Sequence, residues 1–423
     1  SLTRIHHPPH ARSVFVVGGL QRRGLGGGRI MHGVHRQQPR RLLRDFEAEP
    51  GPGVKVIHVA GTNGKGSTCA MIDAIARSCG VSSGLFTSPH LVDFKERIRV
   101  NGDEISEQQT TRYLSELREL VSNWETHPTF FEITLALGMR YFRQQGCELI
   151  VLETGMGGRL DATTAVPADV AVITPIGMDH SQWLGETLAK IAAEKAGIIV
   201  RGKPVLSSAQ QSEAEKVIQE RAQAMQAPIE FITQPHTDSP VNLPGRHQLY
   251  NAALAVSAAR QAQLPVDEKS ISKALANVHW PGRFERCNAP LSPHGIILDA
   301  AHNPHAARAL VRTWQQEYPG QRATIVFGAV EGKNTDTVLA ILASIAGHIH
   351  LTPIASPRSL NADELARAAG GQIPCSVHED LATAVDIACR HAPDSPLLIC
   401  GSIFLIGEIR AMLASEIAHP SSQ

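Results

Sequence analysis

The fold of this chain is decided by the segment Val56-Ile57-His58-Val59-Ala60-Gly61-Thr62-Asn63-Gly64-Lys65-Gly66-Ser67-Thr68. Its apolar beginning predicts a buried strand over 54–60, and the residues after the glycines predict a helix over about 66–79. Glycines between a strand and a helix let backbone N–H groups turn toward a phosphate, the helix N-terminus adds partial positive charge, and Lys65 can reach the terminal phosphates. The segment therefore predicts a phosphate-binding loop, although it departs from the strict G-x-x-x-x-G-K-[ST] spacing at Val59 and Gly66.

Apolar strands alternate with helices on both sides of the segment Trp280-Pro281-Gly282-Arg283. Continuous apolar strands that alternate with helices indicate a parallel sheet covered on both faces. The predicted fold class is α/β, with a mostly parallel sheet domain that carries the phosphate loop and a smaller, Rossmann-like C-terminal domain. The predicted bounds are an atypical Arg/His/Gly-rich segment at 1–44, a central domain at 45–282, a linker at 283–289 and a C-terminal domain at 290–423.

The composition of the 423 residues fits two globular domains rather than one. The longest apolar runs are far shorter than the roughly 20 residues of a membrane span. Because the formal net charge is zero, no nucleic-acid or membrane partner is expected. Nine arginines and no Asp, Glu or Lys lie in residues 1–44, so the remainder carries 31 basic and 40 acidic residues. Seven scattered cysteines predict a reducing, cytoplasmic location.

The form G-T-N-G-K-G-S at Gly61–Ser67 resembles the folylpolyglutamate synthases and dihydrofolate synthases, a family within the Mur ligase superfamily. Six further motifs of that family follow in order, over a resemblance that covers about residues 53–415. They are Thr87-Ser88-Pro89-His90-Leu91, then Glu153-Thr154-Gly155-Met156-Gly157-Gly158-Arg159-Leu160-Asp161-Ala162-Thr163, Asp179-His180 with Trp183-Leu184-Gly185, Glu194-Lys195-Ala196-Gly197-Ile198, Pro281-Gly282-Arg283-Phe284-Glu285, and Asp299-Ala300-Ala301-His302-Asn303-Pro304. Gly401-Ser402 also matches.

The resemblance implies a monomeric, bacterial bifunctional type of enzyme that uses ATP and Mg²⁺. It would add L-glutamate to dihydropteroate, and to tetrahydrofolate as well, with 290–423 as the glutamate-ligase domain. A carboxylate is a poor electrophile, so it is first phosphorylated, and an amine then displaces the phosphate. Cations are needed because an anionic carboxylate must approach an anionic phosphate.

The resemblance also implies the ATP site. Asn251 would lie near the adenine, and three residues of the second domain would close over the nucleotide. The predicted ATP-binding residues are Gly61, Thr62, Asn63, Gly64, Lys65, Gly66, Ser67, Asn251, Arg283, Asp299 and His302.

Two Mg²⁺ sites follow from the same resemblance. Ser88 and Glu153 would hold the ion that bridges the ATP β- and γ-phosphates, and His180 would hold the second ion together with Lys195 as a carbamate. The predicted catalytic residues are Lys65, Glu153, His180 and Lys195. On the residues alone, Glu153 could equally be a solvated acid at a strand end, and Lys195 a surface lysine.

The predicted pterin-binding residues are Thr129, Phe131, Asp161 and Ala162. Phe131 can stack on a flat ring, or it can belong to the core. The L-G-L-E-R-like segment that usually precedes the phosphate loop in this family has no match here, Thr164 replaces the usual asparagine, and 328–334 departs from G-x-x-x-D-K-D. Two alternatives therefore stay open: a Mur-like ligase for another carboxylate, and a nucleotide-binding protein that has lost catalysis.

Overall fold

The N-terminal part of the chain forms an eight-stranded sheet. The computed structural model describes residues 31–179, 181–289, 292–371, 374–391 and 396–418. The strand order is β4-β3-β2-β5-β1-β6-β7-β8, and β2, β3 and β4 pair antiparallel while the other pairs are parallel. The strands are β1 (Lys55–Ala60), β2 (Ser83–Phe86), β3 (Ile98–Val100), β4 (Asp103–Glu104), β5 (Leu149–Glu153), β6 (Val170–Ile173), β7 (Val205–Ser208) and β8 (Ile229–Ile232).

Helices cover both faces of this sheet because successive side chains of its central strand point to opposite faces. The helices are α1 (Met31–Asp45), α2 (Lys65–Ser78), α3 (Glu107–Val121), α4 (Phe130–Gln144), α5 (Ser181–Leu184), α6 (Leu188–Lys195), α7 (Ser212–Ala224), α8 (Arg246–Gln261) and α9 (Glu268–Asn277). Ile57 and Val59 of β1 pack with α2, α8 and α9, whereas Val56 packs with α1, α3 and α4. One-turn 3-10 helices lie at Phe94–Arg97, Ala162–Ala165 and Ala196–Ile198.

Helix α1 is the part of the fold that the motifs did not predict. Its residues Leu42 and Leu43 are buried in the same core as α3 and α4. The guanidinium of Arg41 lies 3.9 Å from the ring centre of Trp124, where a cation–π contact forms. The end of the segment predicted as atypical is therefore a packed helix, and residues 1–30 lie outside the described range.

The C-terminal part forms a six-stranded sheet of order β13-β12-β11-β14-β10-β9, in which β9 alone is antiparallel to its neighbour. The strands are β9 (Glu285–Ala289), β10 (Ser292–Asp299), β11 (Ala323–Phe327), β12 (Ala346–Leu351), β13 (Cys375–Val377) and β14 (Leu397–Cys400). The helices are α10 (Pro304–Glu317), α11 (Thr335–Leu342), α12 (Ala362–Ala369), α13 (Leu381–His391) and α14 (Ile403–Ala418). The two mostly parallel sheets confirm the predicted α/β fold class.

Strand β9 lies within the range predicted as the linker, 283–289, so the chain passes from one sheet to the other between α9 and β9. The two sheets face each other through residues that follow their strands. Asn63, just after β1, exchanges side-chain hydrogen bonds of 3.0 and 3.3 Å with Asn303, just before α10. Ligands of open α/β sheets bind at the carboxyl ends of the strands, which places a candidate site in this cleft. None of the helices in the described ranges combines the length and the apolar composition that a membrane span requires.

Candidate active site

The phosphate loop is shaped by glycines that tolerate no side chain. Gly61 has a φ of 150°, and a Cβ atom there would lie 1.8 Å from Thr174 Oγ1. Gly64 has a φ of 89° and caps α2 without a side-chain hydrogen bond. The first-turn N–H groups of α2 are therefore available to an anion. The backbone N–H groups of Thr62 and Asn63 donate to the Pro175 carbonyl at 3.0 and 3.3 Å, which fixes the loop against the end of β6.

Gly66, which breaks the strict phosphate-loop pattern, has a packing reason. A Cβ atom at this position would lie 2.7 Å from Nε1 of Trp280. Contacts of that length do not occur in folded proteins, so a serine or threonine would force the loop or the indole to move. Glycine at position 66 therefore leaves the space that the indole ring of Trp280 occupies. Trp280 lies just before the C-terminal sheet.

Lys65, Glu153 and Ser88 meet at the carboxyl ends of β1, β2 and β5. Lys65 Nζ lies 3.9 Å from Glu153 Oε1, and the Ser88 backbone N–H donates to Glu153 Oε2 at 3.2 Å. Glu153 is 5% exposed; burial raises the pKa of its carboxyl group, while Lys65 and the Ser88 N–H oppose that rise. Within the described part of the chain, the buried Ser88 Oγ has no hydrogen-bond partner.

This donor set fits a magnesium ion. Mg²⁺ prefers hard oxygen ligands and is bound through one or two carboxylates together with substrate phosphates. A buried carboxylate beside a buried hydroxyl without a partner supplies such oxygens, and Lys65 stands next to them as a second cation. Ser88 and Glu153 are the residues that would hold the ion.

Lys195 lies at the end of α6 and reaches the phosphate loop. It is 5% exposed, and its Nζ donates to the Gly61 carbonyl oxygen at 2.7 Å. Burial, with a contribution from Lys65, lowers the pKa of the Lys195 amine to about 7, although Asp179 and Asp161 oppose the shift. Lys195 is therefore not a surface lysine, which the residues alone had left possible. Near pH 7, a large fraction of the Lys195 side chains carries a neutral amine.

Asp179 connects the two sheets. Its carboxylate lies 3.3 Å from His302 Nε2, accepts from Asn303 Nδ2 at 3.3 Å, and pairs with Lys333 Nζ. The sequence motifs contained Asp179, but its role was not predicted, and Lys333 was not singled out. The lysine that remains in the altered motif at 328–334 was the only signal for it. His180, a predicted metal ligand, lies outside the described residues.

The other predicted nucleotide residues surround the same cleft. Asp299 accepts from the backbone N–H groups of Phe284 and Ala301, both at 2.9 Å. Burial raises the pKa of Asp299, and the positive charge of Arg283 opposes this shift as it does at Glu153. Asn251 is buried against the loop, since a Cβ atom on Gly64 would lie 2.7 Å from its Oδ1.

A cavity of about 330 Å³ lies on the face of the first sheet that α1 covers. Two predicted pterin residues, Asp161 and Ala162, line it together with His58, and Arg40 of α1 contributes a further wall. Asp161 accepts from the Met156 N–H at 2.9 Å and caps the 3-10 helix Ala162–Ala165. The wall that comes from α1 could not be found from the family motifs, because nothing in residues 1–44 matches them.

Within the described part of the chain, the other two predicted pterin residues, Thr129 and Phe131, are not among the residues that line this cavity. Thr129 is exposed and caps α4, where its Oγ1 accepts from the Glu132 N–H at 3.3 Å. Phe131 is half-buried, and its ring centre lies 5.8 Å from that of Phe86. Phe131 also packs against Gly155, where a Cβ atom would lie 2.7 Å from its Cζ, so it adjoins the loop that carries Asp161.

Two family models match the chain. Residues 59–205 match the Mur ligase middle domain, and residues 282–403 match the glutamate ligase domain of Mur ligases. The dihydrofolate synthase/folylpolyglutamate synthase of Bacillus subtilis is 32% identical over 403 residues, which are 86% of this chain and 91% of that protein. The Escherichia coli protein of the same description is 33% identical over 376 residues, 86% of this chain and 87% of its own length.

A longer archaeal relative also matches. The probable bifunctional folylpolyglutamate synthase/dihydropteroate synthase of Haloferax volcanii is 34% identical over 413 residues, which are 88% of this chain. The chain spans 47% of the length of that protein.

Solved structures show the same relationship. E. coli FolC in complex with DHPP and ADP has a TM-score of 0.81 at 30% identity, covering 90% of this chain and 93% of that one. Mycobacterium tuberculosis folylpolyglutamate synthase complexed with ADP and AMPPCP has a TM-score of 0.83 at 30% identity, covering 90% and 97%. The fold and site thus define an ATP-dependent ligase, and the chain belongs to the Mur ligase family. Its relatives there are folylpolyglutamate and dihydrofolate synthases, which confirms the resemblance drawn from the motifs.

Proposed function

We propose that this chain joins L-glutamate to dihydropteroate, and to tetrahydrofolate, through an acyl phosphate formed with ATP. The observation that carries the proposal is the cluster of Lys65, Glu153 and Ser88 beside the phosphate loop. The names of the relatives support the substrates. A solved bifunctional folylpolyglutamate synthase/dihydrofolate synthase with Mn, AMPPNP and L-glutamate bound has a TM-score of 0.80 at 30% identity, covering 90% of this chain and 94% of that one.

The loop and Lys65 bind and orient the ATP phosphates. Free N–H groups at the start of α2 meet the phosphate oxygens, and Lys65 neutralises charge on the terminal phosphate. Glu153 lies 3.9 Å from this lysine and partly balances its charge. When bound through Ser88 and Glu153, Mg²⁺ supplies Lewis-acid stabilisation of the charge that builds up on the phosphoryl oxygens.

The reaction balances in two displacements. A carboxylate oxygen of the folate attacks the γ-phosphorus, and ADP leaves. The neutral amine of glutamate then attacks the acyl carbon, and inorganic phosphate leaves with one former carboxylate oxygen while the nitrogen loses a proton. Contacts of Asp179 with His302 and Lys333 hold the second sheet over the cleft, and this closure excludes water from the acyl phosphate.

We further propose that Lys195 becomes a carbamate and, with His180, helps to hold a second Mg²⁺. The neutral amine adds to CO₂ and loses one proton, so the neutral side chain becomes a carbamate anion. The lowered pKa of Lys195, about 7, and its position beside Gly61 support this step. We also propose that the enzyme acts as a cytoplasmic monomer. The cysteines at positions 69, 79, 147, 287, 375 and 400 are free thiols, which fits a reducing compartment.

The experiment that tests the function is ATP cleavage by the purified chain with dihydropteroate and L-glutamate. ADP and dihydrofolate are expected in equal amounts, and omission of either substrate should abolish both products. Tetrahydrofolate in place of dihydropteroate tests the second activity. ATP binding without substrate-dependent cleavage would instead indicate a nucleotide-binding protein without catalysis.

A further inference from the structure

We propose that His58 is a positioning residue that holds Asp161, in the wall of the cavity of about 330 Å³, at a fixed distance from the phosphate loop. The inference rests on the proposed function and deepens it, because it adds a residue of β1 to the machinery that places the folate carboxylate near ATP. His58 lines the cavity, and neither the motifs nor the family resemblance gave it a role.

A buried chain of hydrogen bonds carries this proposal. His58 Nε2 lies 2.7 Å from Thr163 Oγ1, and Thr163 Oγ1 donates to Asp161 Oδ1 at 2.5 Å. The backbone N–H of Thr163 donates to the same carboxylate oxygen at 3.1 Å. His58 is 1% exposed, Thr163 is fully buried and Asp161 is 8% exposed, so water does not compete for these bonds.

The hydrogen bonds that link His58, Thr163 and Asp161 have a defined order of donors and acceptors. Burial lowers the pKa of His58 to about 3, so its imidazole is neutral at physiological pH. The single hydroxyl proton of Thr163 is used toward Asp161 Oδ1. Thr163 Oγ1 must therefore accept from His58, which fixes the tautomer with the proton on Nε2. A side chain at position 58 that can only accept hydrogen bonds could not form the bond to Thr163 Oγ1.

The location of His58 in β1 shows which parts of the structure its hydrogen bonds connect. Two residues separate His58 from Gly61, the first glycine of the phosphate loop. At the other end, Asp161 accepts from the Met156 N–H as well, so its carboxylate organises the loop after β5. The bond between His58 and Thr163 thus joins the strand that leads into the phosphate loop to the 3-10 helix that Asp161 caps. Under the proposed function, these two segments set the distance between the folate and ATP. Small misplacements of reacting groups cost large factors in rate.

The test uses two substitutions of matched polarity. In H58Q the amide nitrogen of the side chain can still donate to Thr163, whereas H58L removes the donor. H58L is expected to raise the KM for dihydropteroate by about tenfold or more while the KM for ATP changes by less than about twofold, and H58Q should restore most of the loss. If H58L does not fold, H58N serves in its place, because its shorter amide does not reach Thr163.

A double-substitution cycle separates positioning from general stability. T163V should give the same selective rise in KM, and H58L/T163V should be no worse than T163V alone, because both changes break one chain. Additive losses, or equal losses toward all three substrates, would overturn the role of His58. Wild-type protein that does not turn over dihydropteroate would overturn the proposed function and this inference together, whereas an active wild type with unselective variants overturns the inference alone.

Discussion

The Nζ atom of Lys195 donates a hydrogen bond of 2.7 Å to the carbonyl oxygen of Gly61, so a buried amine is held against the phosphate loop. The surroundings of this amine lower its pKa to about 7, and the neutral form therefore gains as pH rises through that value. Only the neutral amine can add to CO₂. The position and the pKa of Lys195 together make its chemistry testable.

The first prediction concerns CO₂. In buffer freed of CO₂ the turnover should fall, more steeply below pH 7 than above it, and added bicarbonate should restore it. K195A should lose at least about a hundredfold in turnover and should not respond to bicarbonate, because it has no amine to modify. Carbon-13 NMR with labelled bicarbonate should show a carbamate signal in wild type. Turnover that is independent of CO₂, without that signal, would contradict the carbamate.

The second prediction concerns the magnesium requirement. S88A should raise the Mg²⁺ concentration for half-maximal turnover by about tenfold to a hundredfold, because a ligating hydroxyl is lost. E153Q should reduce turnover below detection. The control S122A removes an exposed hydroxyl and should leave the Mg²⁺ titration unchanged. An S88A titration that coincides with wild type would remove Ser88 from the metal site.

The third prediction concerns the contact between the sheets. K333A leaves Asp179 without its lysine partner and should loosen closure of the cleft. Amide formation is expected to fall by about tenfold or more, and a larger share of the ATP should be hydrolysed without product. K216A, a change at an exposed lysine of α7, is the matched control. Unchanged coupling of ATP cleavage to product in K333A would contradict this role.

The fourth prediction concerns Gly66. G66A should lower the free energy of unfolding by about 1–3 kcal/mol, because the added methyl group must displace Trp280. In G347A the added Cβ would make an ordinary contact of 3.5 Å with Arg322, so its free energy of unfolding, measured with urea, should fall much less. Replacement of Trp280 by the smaller leucine in G66A/W280L should recover part of the lost free energy of unfolding. Equal urea midpoints for G66A and wild type would show that the loop accommodates a side chain.

The fifth prediction concerns acid stability. The pKa of His58 is about 3 in the folded protein and about 6.5 in an unfolded chain, so the unfolded state binds a proton first as pH falls. Its contribution to stability is complete above pH 6.5 and is lost progressively below it. Between pH 7.5 and 5.5, wild type should lose about 1.4 kcal/mol more than H58Q. H127Q, at an exposed histidine, should behave as wild type in the same urea titrations.

The sequence was enough to predict the strands and the loop because buried parallel strands are continuous apolar runs followed by glycines. It also identified Lys65, Glu153 and Ser88, which the structure brings together. Helix α1 could not be predicted, since its contribution depends on two leucines among arginines and on packing against α4. The pair of Asp179 and Lys333 joins residues far apart in the chain, and no local pattern carries such a contact.

The most direct test of the central claim follows an oxygen atom. Dihydropteroate labelled with oxygen-18 in its carboxylate is incubated with ATP, L-glutamate and Mg²⁺, and the released phosphate is examined by mass spectrometry. Because an acyl phosphate transfers one carboxylate oxygen to phosphorus, each phosphate released with dihydrofolate should carry a single oxygen-18, and K65A should give almost none. Unlabelled phosphate alongside newly formed dihydrofolate would contradict the acyl phosphate.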